Sequence, residues 1–130
     1  MRIVILSAAT DGKVAFWDIT ETCKEFLSTN SSTSASSSVN EKESSKPEKK
    51  LWNIDPVFAL ELHQSGINSL YFGKYAGDTY ILVTGGDDNA VHVSLVTMAT
   101  HATRVKVKVI AKGKNKSAHS AQITSIYIAI

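Results

Sequence analysis

The chain contains two copies of one pattern, and this internal repeat constrains the fold more than any other feature. Residues 63–71 and 119–127 both contain His, Ile four positions later, Ser two positions after that, an aliphatic residue and Tyr. Residues 6–12 and 83–89 form a second pair. Each begins with an aliphatic residue and a hydroxyl residue and ends with Asp followed by Gly or Asn. In repeat architectures each unit needs a neighbour to bury its apolar face. We therefore expect a slice of a repeat protein and not a free-standing domain.

The repeating unit is predicted to consist of strands joined by tight turns. Asp11-Gly12 is a hairpin signal between an aliphatic segment and an alternating one, and residues 86–89 repeat it. Residues 105–109 alternate Val with Lys, which is typical of a strand with one buried face. No window has a clear helical period, so the predicted fold class is all-β. Strands are predicted at residues 2–9, 13–19, 57–62, 67–72, 80–85, 90–96, 105–109 and 122–130.

The order of these motifs resembles the WD-repeat family of β-propellers. Trp17-Asp18 is similar to the signature dipeptide of that family and lies six residues beyond Asp11, while His63 and His119 stand at the position of its Gly-His element. The resemblance implies a buried set in which the His, the turn Asp, a Ser or Thr and the Trp hydrogen-bond to one another, as buried polar groups must. The implied structural blade residues are Asp11, Trp17, Asp18, His63, Asp88 and His119.

The second hairpin departs from the family pattern. The position six residues beyond Asp88 is Ser94 instead of Trp, and Leu95 replaces the following Asp. Neither repeated His follows Gly, because Leu62 and Ala118 precede them. We expect that the second blade cannot build the full hydrogen-bonded set and depends more on apolar packing.

The spacing of the two repeats also indicates an insertion and its length. The histidine motifs lie 56 positions apart, whereas Asp11 and Asp88 lie 77 apart, and the excess of 21 falls between Asp11 and His63. Residues 28–50 are rich in Ser and charged residues and contain no aromatic residue, so they cannot bury enough apolar area to become ordered. We predict a disordered loop, either an inert spacer or a segment regulated by phosphorylation.

The predicted organisation follows from the repeat. Residues 1–27 end one blade, 28–50 form the loop, 51–116 form one complete blade with a basic outer strand and loop, and 117–130 begin the next blade. A propeller ring typically contains about four to eight blades. We therefore expect an incomplete ring of about two blades, that is, a fragment of a longer propeller.

A basic run ends the predicted complete blade. It holds six cations within thirteen positions and no acid, although the net charge of the chain is only +2. Residues 105–109 are predicted as its strand and 112–116 as an exposed loop after it. The run could contact RNA phosphates through salt-dependent electrostatics, or it could be a solvated edge strand. The possible RNA-facing residues are Arg104, Lys106, Lys108, Lys112, Lys114 and Lys116.

Other chemistries find little support in the sequence. The single cysteine, Cys23, excludes an intramolecular disulfide framework, and the four histidines lack metal-ligand spacing. Because the candidate nucleophiles and bases are explained by turns and blade packing, we predict no catalytic residue, no metal and no cofactor. No stretch has the length of a membrane span, so we expect a cytoplasmic protein with no membrane partner.

A more specific resemblance covers most of the chain outside the Ser-rich loop. Residues 7–18, 62–70 and 85–93, together with the degenerate position Ser94, are similar to the C-terminal blades of a large WD-repeat subunit. That subunit is the partner of the eukaryotic tRNA wobble-position 2′-O-methyltransferase. The resemblance implies a non-catalytic regulator with a protein partner, which reaches tRNA through the complex. The alternatives are a general protein-interaction scaffold, such as a signalling or kinase adaptor, and an enzyme in its own right.

Overall fold

The computed structural model describes residues 1–33, 54–101 and 104–129. Antiparallel strands form two sheets, one with the order β1-β2-β3 and one with the order β4-β5-β6-β7. The predicted all-β fold class, with sheets of the propeller type, is confirmed. In chain order the elements are β1 (Val4–Ala8), β2 (Lys13–Asp18), α1 (Thr20–Thr33), β3 (Phe58–Glu61), β4 (Ile67–Ala76), β5 (Thr79–Gly86), β6 (Val91–His101) and β7 (Arg104–Asn115).

The two repeated hairpins make the same turn with different residues. Gly12, between β1 and β2, has φ +77°, and Asn89, at the equivalent place between β5 and β6, has φ 63°. Both residues adopt the left-handed conformation, which Gly accepts at no steric cost and Asn tolerates better than most residues. A Cβ atom at Gly12 would also collide with the carbonyl oxygen of His63. The first hairpin therefore packs directly against the loop that carries this histidine.

The hydrophobic core lies between the two sheets. Val14, Phe16, Leu82 and Val96 are almost completely buried there. The ring of Phe16 makes edge-to-face contacts with Phe58 at 5.7 Å and with Phe72 at 5.9 Å between centroids. These contacts join both sheets through side chains that alternate along their strands. This packing places the loop between β3 and β4, with His63, at the junction of the sheets.

The helix α1 was not predicted. It begins directly after β2, where the Asp18 carboxylate accepts hydrogen bonds from the Thr20 backbone N at 3.1 Å and from the Thr20 hydroxyl at 2.6 Å. Glu21 lies in its first turn, where a negative charge is favourable. Residues 28–33 of the predicted disordered loop are therefore helical. The remainder of that predicted loop, residues 34–50, lies outside the described residues.

Three other boundaries differ from the prediction. β3 pairs with β2, so it completes the first sheet, and the four-stranded sheet extends only over residues 67–115 of the predicted blade 51–116. Residues 112–115 continue β7 instead of forming a loop, because they pair with β6. Residues 122–129 form no strand; instead Ile126 N donates to Ser69 Oγ at 2.8 Å and Ile123 N donates to Gly86 O at 3.1 Å. No helix within the described ranges is long and apolar enough to cross a membrane.

Candidate functional site

His63 is the centre of a buried hydrogen-bonded network at the junction of the sheets. Its side chain is inaccessible to solvent; its Nδ1 lies 2.8 Å from Asp88 Oδ1 and its Nε2 lies 2.8 Å from Thr84 Oγ1. A carboxylate can only accept a hydrogen bond, so Nδ1 carries the proton and donates it. In the neutral ring Nε2 is then an acceptor, and the Thr84 hydroxyl donates to it. Both nitrogens of His63 are thereby satisfied.

Asp88 fixes the turn as well as the histidine. Besides the bond from His63, its carboxylate accepts hydrogen bonds from the backbone N of Gln64 at 3.1 Å and of Ala90 at 3.2 Å. Burial of the carboxylate disfavours its charged form, but these hydrogen bonds outweigh burial and hold the pKa of Asp88 below its usual value. The network therefore contains a carboxylate that is ionised at neutral pH.

The first sheet contains the positions that correspond to this network, and there the signature tryptophan is present. Trp17 Nε1 donates to Ser7 Oγ at 2.9 Å, and Ser7 stands at the repeat position of Thr84. Asp11 is exposed and accepts from Lys13 N at 3.0 Å, as Asp88 does from Ala90 N in the second turn. The remaining signature residue, Asp18, belongs to the start of α1, and its carboxylate lies 3.5 Å from Arg2 Nη1.

Ser94 leaves the second network incomplete. It occupies the place of the tryptophan and is only 1% exposed, and its Oγ has no hydrogen-bond partner among the residues that the structure describes. Three of the four positions, His63, Thr84 and Asp88, are nevertheless joined. His119, which the repeat places in the next blade, is exposed, and its backbone N donates to Asn89 O at 3.4 Å.

His92 belongs to this site, although no sequence motif points to it. It pairs across the sheet with Thr84, and its ring lies 4.3 Å from the ring of His63 between centroids, at a tilt of 57°. Burial lowers the pKa of His92 most; the neighbouring His63 and the lysines of β7 lower it further, and Asp88 opposes them. The alternation of β6 could have indicated its position, since His92 and Ser94 are two residues apart and share a face of the strand.

The cluster of His63, Asp88 and His92 has donors that could approach a metal ion, all within 4.8 Å of one another. Both nitrogens of His63 are already engaged, one of them with a buried hydroxyl. A metal ion would have to break one of these hydrogen bonds and leave its partner unsatisfied. The arrangement therefore fits a structural network better than a metal site.

A β-bulge divides the basic run between two faces of the sheet. Val96 pairs with Val109, but Leu95 pairs with Ala111, so Ile110 is an additional residue in β7. Side chains alternate along a strand, and the extra residue reverses their direction beyond it. Before the bulge Arg104, Lys106 and Lys108 share the face opposite the core; we call them the outer basic group. Beyond it Lys112 and Lys114 share the face of Ser94 and His92; we call them the groove lysines.

The expectation of an exposed loop over residues 112–116 is therefore wrong, because residues 112–115 pair with β6 as part of β7. Lys112 is directly opposite Ser94, and Lys114 is directly opposite His92. Lys116 follows the end of β7 and is exposed. The groove lysines and the outer basic group thus face different surroundings.

Each basic group borders a groove. The smaller groove has a volume of about 250 Å³ and is lined by Glu61, Leu62, His92, Lys112, Gly113 and Lys114. The larger has a volume of about 530 Å³ and is lined by Val57, His101, Arg104, Val105, Lys106 and Val107. Both lie where the end of the first sheet meets the outer strands of the second.

The described residues form two antiparallel sheets, and the His–Thr–Asp network joins the β3–β4 loop to the second of them, so the fold is β-rich. No family model matches the chain. It is 29% identical over 92 residues to a protein of Rattus norvegicus named tRNA (34-2'-O)-methyltransferase regulator WDR6. The match covers 71% of this chain but 7% of that protein, so the chain spans a small part of the relative's length. The similarity is thus to a small part of a protein that is named as a regulator, and the β-rich sheets agree with the WD-repeat resemblance.

Proposed function

We propose that the chain is part of a non-catalytic regulator of a tRNA 2′-O-methyltransferase that acts at the wobble position. The observation that carries this proposal is the similarity to a protein named as such a regulator. The geometry supports its non-catalytic part, because the buried network of His63, Thr84 and Asp88 joins the β3–β4 loop to the second sheet. The protein would act by binding a partner, in the cytoplasm, and would present tRNA through the complex.

The network has the residue types of a hydrolase triad but not its accessibility. Thr84, His63 and Asp88 stand in the order of nucleophile, base and orienting carboxylate. However, Thr84 is 0% exposed and His63 is 3% exposed, so no substrate carbon can reach the hydroxyl. A nucleophile must contact its substrate. This argues for a structural role and against an enzyme in its own right.

A general protein-interaction scaffold is the second candidate. Propeller sheets support many unrelated functions, so the fold does not choose between the two. The basic character of β7 favours the tRNA-linked function, since residues 104–116 contain no acid and can attract a polyanion.

Affinity purification of the tagged protein in its native assembly tests this proposal. We expect a 2′-O-methyltransferase to copurify in near-equal amount and to remain after RNase treatment, because the contact is between proteins. tRNA should copurify as well and should disappear with RNase. Copurification of other proteins only, with neither the methyltransferase nor tRNA, would favour the scaffold.

A further inference from the structure

The smaller groove is a place where three basic side chains converge. Lys114 stands directly opposite His92, and Lys112 directly opposite Ser94. Directly opposite residues of an antiparallel pair have Cβ atoms about 4.5–5.5 Å apart, and successive residues of one face lie about 7 Å apart along a strand. The ends of these three side chains therefore reach one common space of about 250 Å³.

We propose that His92, Lys112 and Lys114 bind a phosphate group of an RNA backbone in this groove. That the phosphate belongs to RNA rests on the proposed function. That the groove binds an anion is inferred from the described residues alone. The bulge at Ile110 creates the site, because without it the groove lysines would turn to the opposite face.

The charges of the groove are available to a ligand. Neither Lys112 nor Lys114 has an ion-pair partner among the residues that the structure describes. Glu61 is the acid in the lining, and it opposes an anion. The two ammonium groups still outnumber it, the His92 imidazole can add a hydrogen bond from a ring N–H, and phosphate oxygens accept several hydrogen bonds at once. Neutralising Glu61 should therefore strengthen anion binding.

The outer basic group provides a natural comparison. Arg104, Lys106 and His101 also line a groove, but it has about twice the volume and three valines in its wall. The same number of basic side chains is thus spread over a wider space, which suits weak, diffuse attraction better than a single bound phosphate.

RNA fits this surface better than an acidic peptide. The bulge places cations on both faces of β7, and residues 104–116 hold no acid, so a positive field extends along the whole strand. A polyanion can follow such a strand, with one phosphate held in the groove and its neighbours attracted by the outer basic group.

Charge-matched variants of the full 130-residue chain test the proposal. Lys112→Gln with Lys114→Gln and, as the control, Lys106→Gln with Lys108→Gln each remove two positive charges from β7. Binding of a labelled tRNA anticodon stem-loop is measured by fluorescence anisotropy over a series of KCl concentrations, and far-UV circular dichroism establishes that each variant is folded. The groove variant should weaken binding at least tenfold, and the control variant less than threefold.

The salt series adds an independent readout. Loss of one phosphate contact should lower the slope of log affinity against log salt by about 0.7–0.9 for the groove variant. Glu61→Gln should bind the stem-loop more tightly than the unaltered chain. Equal losses for both lysine pairs, or no binding by the unaltered chain, would overturn the proposal.

A titration with inorganic phosphate separates this site from the proposed function. The His92 ring resonances should shift with phosphate in the unaltered chain but not in the Lys112→Gln, Lys114→Gln variant. If phosphate and stem-loop bind the groove while no methyltransferase copurifies, the regulator proposal fails and the site stands. If the methyltransferase copurifies while the groove variant binds RNA normally, the site fails and the regulator proposal stands.

Discussion

Replacement of Thr84 by valine isolates one buried hydrogen bond of the network. Valine has nearly the same shape as threonine but no hydroxyl, so His63 Nε2 would lose the donor that lies 2.8 Å away. Thr84 is 0% exposed, and no water can take the place of its hydroxyl without opening the junction of the sheets. A buried acceptor left unsatisfied costs about 1–3 kcal/mol. The added methyl group returns at most about 0.8 kcal/mol, so the two figures leave a net loss of roughly 0.2–2.2 kcal/mol.

Urea unfolding of the full chain, followed by far-UV circular dichroism, measures this loss as a lower midpoint with an unchanged slope. Ser94→Ala is the matched control, since it also removes a buried hydroxyl from the same face, but one without a partner. We expect Ser94→Ala to leave the stability unchanged or to raise it by up to about 1 kcal/mol. Equal midpoints for Thr84→Val and the unaltered chain would refute the assigned hydrogen bond, and so would equal losses in both variants.

Further predictions concern the stability of the network and its dependence on pH. Ser94→Trp should raise the urea midpoint, because an indole there can donate to Thr84 Oγ1 as Trp17 does to Ser7, and a lower midpoint would contradict this. Asp88 has a lowered pKa when folded, so its contribution is present above the unfolded value of 3.8 and is lost as the pH falls through the lower folded pKa. In Asp88→Asn the urea midpoint should therefore depend less on pH in this acidic range. An unchanged pH dependence would contradict the assigned hydrogen bonds. His92 also has a lowered pKa, so the unfolded chain binds its proton first and stability falls as the pH drops below 6.5. His92→Gln should remove this fall, which an identical profile in both proteins would contradict.

The sequence predicted the two hairpin turns because the repeat contains the same turn signal twice. Gly12 and Asn89 occupy equivalent turn positions with the same left-handed conformation, and each Asp accepts from the residue two positions later. Such features depend on local geometry that short motifs encode. The pairing of His63 with Asp88 was implied by the family resemblance, and the structure brings these residues together.

The groove was not predictable from the same patterns. Val and Lys alternate up to Val109, and only the apolar triplet 109–111 signals that the alternation breaks. Whether such a triplet forms a bulge depends on pairing with β6, which is a tertiary contact. The helix α1 was missed for a related reason, since residues 20–33 are largely polar and only the Asp18–Thr20 contact marks its start.

Quantification of 2′-O-methylated nucleosides at the tRNA wobble position tests the central claim most directly. The protein is depleted in cells, and tRNA is digested and measured by mass spectrometry, with and without re-expression of the intact protein. We expect the modification to fall on depletion and to return with the intact protein. Wobble methylation that stays unchanged after depletion would contradict the account and leave a scaffold of another process.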